Sequence, residues 1–204
     1  MIKAIIFDFG SVLFKEDWIA LSNEVEKKFG ISTLLRSKYS KNVVNELDRA
    51  NIGKSRMSKV FRKVCGERKF KGNIKRLCSY YIKAYNRYKT LNKPLIKTIK
   101  SLKKNYLLAC HTDTNEFHYA GHRRQGLLKL FDRHFASYLI GKRKCDKKAF
   151  KIVLKSLKIK PAEIAFIDDS SVNIKNAKSL GIKAILFRNN KQLFRHMRKL
   201  NIKV

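Results

Sequence analysis

Ile2-Lys3-Ala4-Ile5-Ile6-Phe7-Asp8 is an apolar run that ends in a carboxylate, and Ile164-Ala165-Phe166-Ile167-Asp168-Asp169 repeats the pattern near the other end of the chain. Short apolar runs of this kind, each followed by a turn and a helix, suit strands of a parallel sheet covered on both faces. Such sheets gather ligands at the carboxyl ends of their strands. Asp8 and the Asp168-Asp169 pair are therefore placed to converge, although most of the chain separates them. Only 15 acidic residues stand against 48 basic ones, so acids at two buried strand ends are conspicuous. Crowded carboxylates repel, and a hard divalent cation such as Mg2+ relieves them while keeping waters that a phosphate can replace. Asp8 taken alone also reads as a helix cap or a lysine partner; the two acidic strand ends together point to one site.

Between these runs the rhythm changes twice. After Phe9-Gly10-Ser11-Val12-Leu13-Phe14 the strand-and-helix alternation stops, and the residues up to about position 91 read as helical throughout. Trp18, Leu21, Val25 and Phe29 recur at helical spacing before Gly30, a natural C-cap. Val43, Val44 and Leu47 mark a second helix, Met57, Val60, Phe61 and Val64 a third, and Leu77, Tyr81, Ile82 and Tyr85 a fourth. Tyr80, Tyr81, Tyr85 and Tyr88 invite a base-stacking reading, which their helical spacing turns toward bundle core. The alternation resumes at Pro94, which suits a first helical turn. A strand is expected at 106–110, then a helix near 117–130, a strand near 135–140, a helix near 147–157, the acidic strand, a helix near 172–180, a strand at 184–187 and a last helix near 192–200. Five strands joined by helices mean an α/β fold with a doubly wound, Rossmann-like parallel sheet. The division expected is a core of residues 1–14 and 92–204 and an inserted all-helical cap of residues 15–91, hung over the sheet edge where Asp8 emerges.

The chain has 204 residues, 44% hydrophobic, enough to bury a real core. No stretch approaches the roughly 20 apolar residues of a membrane span, and the start lacks the apolar segment and cleavage site of a secretory signal; a cytoplasmic location and no membrane partner are the expectations. Cys65, Cys78, Cys110 and Cys145 form no CxxC pair, which sets aside zinc ribbons and redox motifs. Cys110 lies in an apolar run and reads as core, while Cys145 stands among lysines. The net charge of +33 would concentrate polyanions, nucleic acid included. It is spread along the chain with no basic arm, which fits a solvated lysine-rich surface and also draws small phosphorylated molecules inward.

Four separated motifs give the whole chain a resemblance to the haloacid dehalogenase superfamily, in the branch with a helical cap inserted after the first strand. They are Phe7-Asp8-Phe9-Gly10-Ser11-Val12-Leu13, Leu107-Leu108-Ala109-Cys110-His111-Thr112-Asp113-Thr114-Asn115, Gly141-Lys142-Arg143-Lys144-Cys145-Asp146, and Phe166-Ile167-Asp168-Asp169-Ser170-Ser171-Val172-Asn173. The resemblance implies that Asp8 is a nucleophile forming an aspartyl phosphate. It implies that Thr112 and Lys144 bind phosphoryl oxygens, and that Asp8, Asp169 and the Gly10 carbonyl hold Mg2+. Asp168 and Asn173 take supporting places, Asn173 orienting the lysine or a water on the metal. The family's usual proline after the lysine is Cys145 here, and Lys142 competes with Lys144 for the role.

The first motif departs from the family's phosphatases, which carry an acid/base Asp two residues after the nucleophile, where this chain has Gly10. Its carbonyl can bind a metal but cannot shuttle a proton, which opens a proton-transfer role for Asp113, His111 or a cap residue. The implied activity is Mg2+-dependent hydrolysis of a small phosphorylated metabolite. The alternatives are a catalytically impaired protein that binds a phosphorylated ligand or nucleic acid through its basic surface, and a carbon-attacking dehalogenase, against which the Asp168-Asp169 pair argues.

Overall fold

The computed structural model describes residues 1–204. Five parallel strands form the central sheet: β1 (Ala4–Phe7), β4 (Leu107–Thr112), β5 (Arg133–Ala136), β6 (Ile164–Asp168) and β7 (Lys183–Leu186), in the order β5-β4-β1-β6-β7. The acidic strands β1 and β6 are neighbours, with Phe7 beside Ile167. Phe7 also lies beside Cys110 of β4, so three of the motifs end on adjacent strands.

The intervening segments split into an insertion and a set of crossovers. Between β1 and β4 run β2 (Phe14–Glu16), α1 (Trp18–Phe29), α2 (Leu35–Lys38), α3 (Lys41–Ala50), α4 (Met57–Glu67), α5 (Ile74–Arg87), β3 (Lys89–Leu91) and α6 (Lys93–Leu102). The crossovers of the second half contain α7 (Glu116–Arg124), α8 (Ser137–Ile140), α9 (Lys147–Leu157) and α10 (Ser171–Lys178), and α11 (Asn190–Lys199) closes the fold. Side chains set the helix ends. The Asp17, Asn73, Asn92, Asn115, Asp146 and Asn189 carboxylates or amide oxygens each accept from a first-turn N–H, worth about 1 kcal/mol apiece. Gly30 ends α1 in the left-handed region at φ 65, where a Cβ would be strained.

Because β-strand side chains alternate, the sheet has two apolar layers. Ile5, Phe7, Leu108 and Cys110 face α6 and α11; Ile6, Ala109, Ile164 and Phe166 face α9 and α10, where Phe150 and Ile174 meet them. The insertion buries its own core around Leu21, Val25, Val60, Phe61, Leu77 and Tyr81. No helix is long and apolar enough to cross a membrane.

Several expectations differ in detail. The insertion begins and ends in extended chain, since β2 pairs antiparallel with β3 and sets Phe14 opposite Leu91 and Glu16 opposite Lys89. Asn92 closes this neck by donating its backbone N–H to Leu13 at 2.8 Å and its amide to Val12 at 3.0 Å. Of residues 135–140 only the first two are strand: β5 stops at Ala136 and Ser137–Ile140 is the short helix α8. The helix expected to run to residue 130 stops at Arg124, and Leu127–Leu130 is a 3-10 turn after Gly126 at φ 73. Trp18, on the helical stripe of Leu21 and Val25, is 39% exposed and lines the cavity described next.

Candidate functional site

The carboxyl ends of β1, β4 and β6 open into a cavity of about 550 Å³ between the sheet and the insertion. On its sheet side lie Asp8, Gly10, Thr112, Asp113, Lys144 and Asn173; on the insertion side lie Trp18, Leu35, Arg36, Met57, Tyr81 and Tyr85. Asp8, Thr112 and Asp113 follow from strand geometry, since the side chains at and just beyond the end of a buried strand are the first free to face a ligand, while Lys144 comes from the loop before α9 and Asn173 from α10.

Asp8, Asp168 and Asp169 each offer a carboxylate oxygen, and these oxygens lie within 4.8 Å of one another. Asp8 and Asp168 are buried, whereas Asp169 is exposed. Lys144 is 2% exposed and bridges the two buried acids, its Nζ 2.5 Å from Asp8 Oδ1 and 2.7 Å from Asp168 Oδ2. Lys142 lies at the surface and pairs with Asp146 at 3.3 Å. Of the two lysines, Lys144 is the one in the site.

Asp168 is fully engaged. Its Oδ1 accepts from Ser170 N at 2.8 Å and Asn173 Nδ2 at 3.0 Å; its Oδ2 takes Lys144 Nζ. Asn173 therefore orients Asp168, and through it the lysine, where the sequence had pointed to the lysine or a water directly. The exposed Asp169 carboxylate makes no ion pair in a chain with a net charge of +33. Burial pushes the Asp8 carboxyl up to about 7, with Lys144 opposing and Asp168 adding to the rise. Burial also disfavours charge on Lys144, but Asp8, Asp168 and Asp113 outweigh it and hold the ammonium above its ordinary value.

Three carboxylates facing one ammonium leave a surplus of negative charge in a partly buried pocket, and the donor set is all oxygen. That set fits a hard divalent cation such as Mg2+.

Two sequence expectations need correction. His111 does not reach the site to carry a proton: it is fully buried on the opposite face of β4, among Phe135, Phe150 and Phe166, and neither ring nitrogen has a partner. Burial, with Lys144 adding, holds its imidazole well below the ordinary value and so uncharged. Asp113 lines the cavity, but its Oδ1 accepts the Lys144 backbone N–H at 2.9 Å and its Oδ2 accepts from Arg143 Nε at 3.3 Å. It supports the lysine loop, and its oxygens are spoken for as proton carriers. Thr112 ends β4, buried at the cavity floor, and Asn115 caps the following helix.

Sequence reading missed several residues. Asn176 Nδ2 holds the Lys144 and Cys145 carbonyls at 3.2 and 2.8 Å; it lies one helical turn after Asn173, which was the available signal. Ser137 Oγ accepts from Thr114 N at 2.9 Å and lies 2.6 Å from the Asn51 carbonyl, tying the insertion to the sheet edge. His118 stacks on Tyr85 at 3.9 Å between ring centroids and shares a hydrogen bond of 2.7 Å with Tyr81 Oη. Glu16 enters the same cavity from β2. No spacing marks His118 or Glu16, because tertiary packing alone brings them there.

A family profile described as haloacid dehalogenase-like hydrolase matches residues 5–187. Among solved structures, a haloacid dehalogenase family enzyme from Bacteroides thetaiotaomicron, in complex with magnesium and inorganic phosphate, superposes with a TM-score of 0.80 at 20% identity, covering 96% of this chain and 100% of that one. The L-2-haloacid dehalogenase of Xanthobacter autotrophicus, with chloropropionic acid covalently bound, gives a TM-score of 0.63 at 19% identity, covering 100% of this chain and 85% of that one. At these identities the likeness is one of fold. Bifunctional epoxide hydrolase 2 of Mus musculus is 29% identical over 119 residues, 55% of this chain and 21% of that protein, so the match spans about a fifth of the relative.

Proposed function

The chain belongs to the haloacid dehalogenase-like hydrolases, and from that premise we propose that it is a Mg2+-dependent phosphohydrolase of small phosphorylated metabolites, with Asp8 as nucleophile. The observation that carries the reading is the gathering of Asp8, Asp168 and Asp169 at adjacent strand ends around the buried Lys144. A carbon-attacking hydrolase needs no divalent cation, so a cluster of three acids suited to one favours attack on phosphorus. The B. thetaiotaomicron enzyme, which holds magnesium and phosphate, lends support through its fold.

Mg2+ would be held by Asp8, Asp169 and the Gly10 carbonyl, and when bound it neutralises charge on the phosphoryl group and lets that group approach a carboxylate. The chain's own residues do the rest. Asp8 attacks phosphorus, forming a carboxyl–phosphorus bond as the ester oxygen departs, and water then cleaves that bond and restores the carboxylate. Lys144, fixed by Asp168 at its tip and by Asp113 and Asn176 at its backbone, presents a positive charge that needs no rearrangement during reaction. The Thr112 hydroxyl receives a phosphoryl oxygen. Residues 15–91 form the cap, whose Trp18, Arg36, Tyr81 and Tyr85 select the remainder of the substrate.

A screen of phosphorylated metabolites with and without Mg2+, run beside Asp8→Asn, tests this. Hydrolysis that requires the cation and vanishes in Asp8→Asn is expected. Turnover that persists in a strong chelator, or in Asp8→Asn, refutes it.

A further inference from the structure

Both half-reactions of the proposed hydrolysis need a proton carrier: an alkoxide leaves poorly, and the water that follows must lose a proton. The groups around Asp8 are mostly committed. Asp168 accepts from Lys144, Ser170 and Asn173, and Asp113 accepts from Lys144 and Arg143. The two cavity histidines are poor candidates, because burial, with Lys89 adding, holds His118 down to about 3 and His122 down to about 2. Glu16 remains.

Its position is unusual. Residue 10, two beyond Asp8, has no side chain, and a Cβ built on it would meet only the Glu16 carboxylate, with Oε1 and Oε2 both at 3.8 Å. The chain doubles back to achieve this: a bridge between Gly10 and Phe14 turns it, and β2 then delivers Glu16 to the cavity wall. The carboxylate thus lies against the space beside Asp8 that a side chain on residue 10 would enter. Glu16 is not one of the three acids that could share a cation. Its closest side-chain partner is the Tyr85 hydroxyl, which donates to Oε1 at 3.4 Å, leaving the carboxyl free to exchange a proton.

We propose that Glu16 is the catalytic acid and base of this enzyme, reaching from the neck of the insertion into the space that Gly10 leaves open. The assignment rests on the phosphohydrolase reading above. In the first step Asp8 Oδ bonds to phosphorus, the phosphorus–oxygen ester bond breaks, and the Glu16 carboxylic acid gives its proton to the departing oxygen. In the second, a water oxygen bonds to phosphorus while the Glu16 carboxylate takes one of its protons. The Asp8–phosphorus bond then breaks, releasing phosphate and returning both carboxyls to their starting states.

The test compares Glu16→Gln with the parent on phenyl phosphate, whose leaving oxygen needs a proton, and on p-nitrophenyl phosphate, whose leaving oxygen does not. Formation of the Asp8 adduct is followed by acid quench. The expected loss in kcat on phenyl phosphate is about 10²–10⁴-fold, with a much smaller loss in adduct formation from p-nitrophenyl phosphate and a build-up of the adduct. Adding Gly10→Asp to Glu16→Gln moves the carboxylate to the neighbouring position and restores at least tenfold. The assignment is overturned if Glu16→Gln keeps parental kcat on both esters, or if both lose equally and Gly10→Asp restores nothing. A parent inactive on every phosphate ester sinks the phosphohydrolase reading and this assignment with it, whereas an active parent with an indifferent Glu16→Gln sinks the assignment alone.

Discussion

Replacing Lys144 with Met removes the only cation between two buried carboxylates, and the geometry sets the size of the effect. Lys144 is 2% exposed, Asp168 is fully buried, and the two contacts are 2.5 and 2.7 Å. Removing one partner of a buried ion pair leaves uncompensated charge and costs about 3–5 kcal/mol, a large share of the roughly 5–15 kcal/mol that stabilises a protein of this kind. With a urea slope of about 2 kcal/mol per molar, the unfolding midpoint falls by roughly 1.5–2.5 M. The assay is urea denaturation near pH 8 with divalent cations chelated, so that no metal substitutes for the ammonium. A second change isolates the cause. Asp168→Asn added to Lys144→Met removes one of the stranded charges and recovers at least about 1 kcal/mol, because coupled residues do not add. A midpoint shift below about 0.5 M, or strictly additive losses in the double variant, refutes the view that this ammonium holds the acids together.

Other consequences are independent of that pair. His111 buries two unpartnered ring nitrogens, so His111→Leu stabilises the protein by about 1–3 kcal/mol in urea denaturation; a loss of stability contradicts the reading of His111 as an unsatisfied core residue. The same variant flattens the acid limb. Burial holds the His111 imidazole well below its ordinary 6.5, so below about pH 6 the unfolded chain binds a proton that the folded one refuses. Stability then falls by about 1.4 kcal/mol per pH unit, and the parent's slope between about pH 6 and 5 exceeds the variant's by that amount; equal slopes refute it. Gly53 sits at φ 71, with an added Cβ only 2.1 Å from the Tyr138 carbonyl oxygen. Gly53→Ala therefore costs more than about 2 kcal/mol, and a calorimetric midpoint unchanged from the parent rules out that close approach. Asn176→Ala frees the Lys144 and Cys145 carbonyls and lowers stability by about 1–3 kcal/mol; a change within error means the lysine loop stands without it.

Much of the architecture was legible because apolar runs and caps carry it. The runs ending at Asp8 and Asp168 form neighbouring strands, and Gly30 and Pro94 sit at the helix end and helix start their chemistry suits. The β2–β3 neck escaped notice because three-residue strands are too short to show alternation. Ser137–Ile140 was read as strand because a short apolar run does not declare its own geometry. At the site, the placement of His111 was within reach. Counting in twos along β4 puts it on the face of Ala109, away from the cavity. Lys144 and Lys142 could not be separated by sequence, since two residues of loop place one ammonium in the core and the other in solvent. Glu16 lay deeper still, because its closeness to Gly10 exists only once the chain has turned back on itself.

The most direct test of the central claim, that residue 8 carries the phosphoryl group, is mass analysis of the Asp8 peptide after rapid acid quench of a turning-over mixture. With Mg2+ and a phosphate ester the peptide gains one phosphoryl group on Asp8, and it gains none when the cation is chelated or when Asp8 is Asn. Steady hydrolysis with an unmodified peptide, at a rate that Asp8→Asn leaves unchanged, contradicts the account.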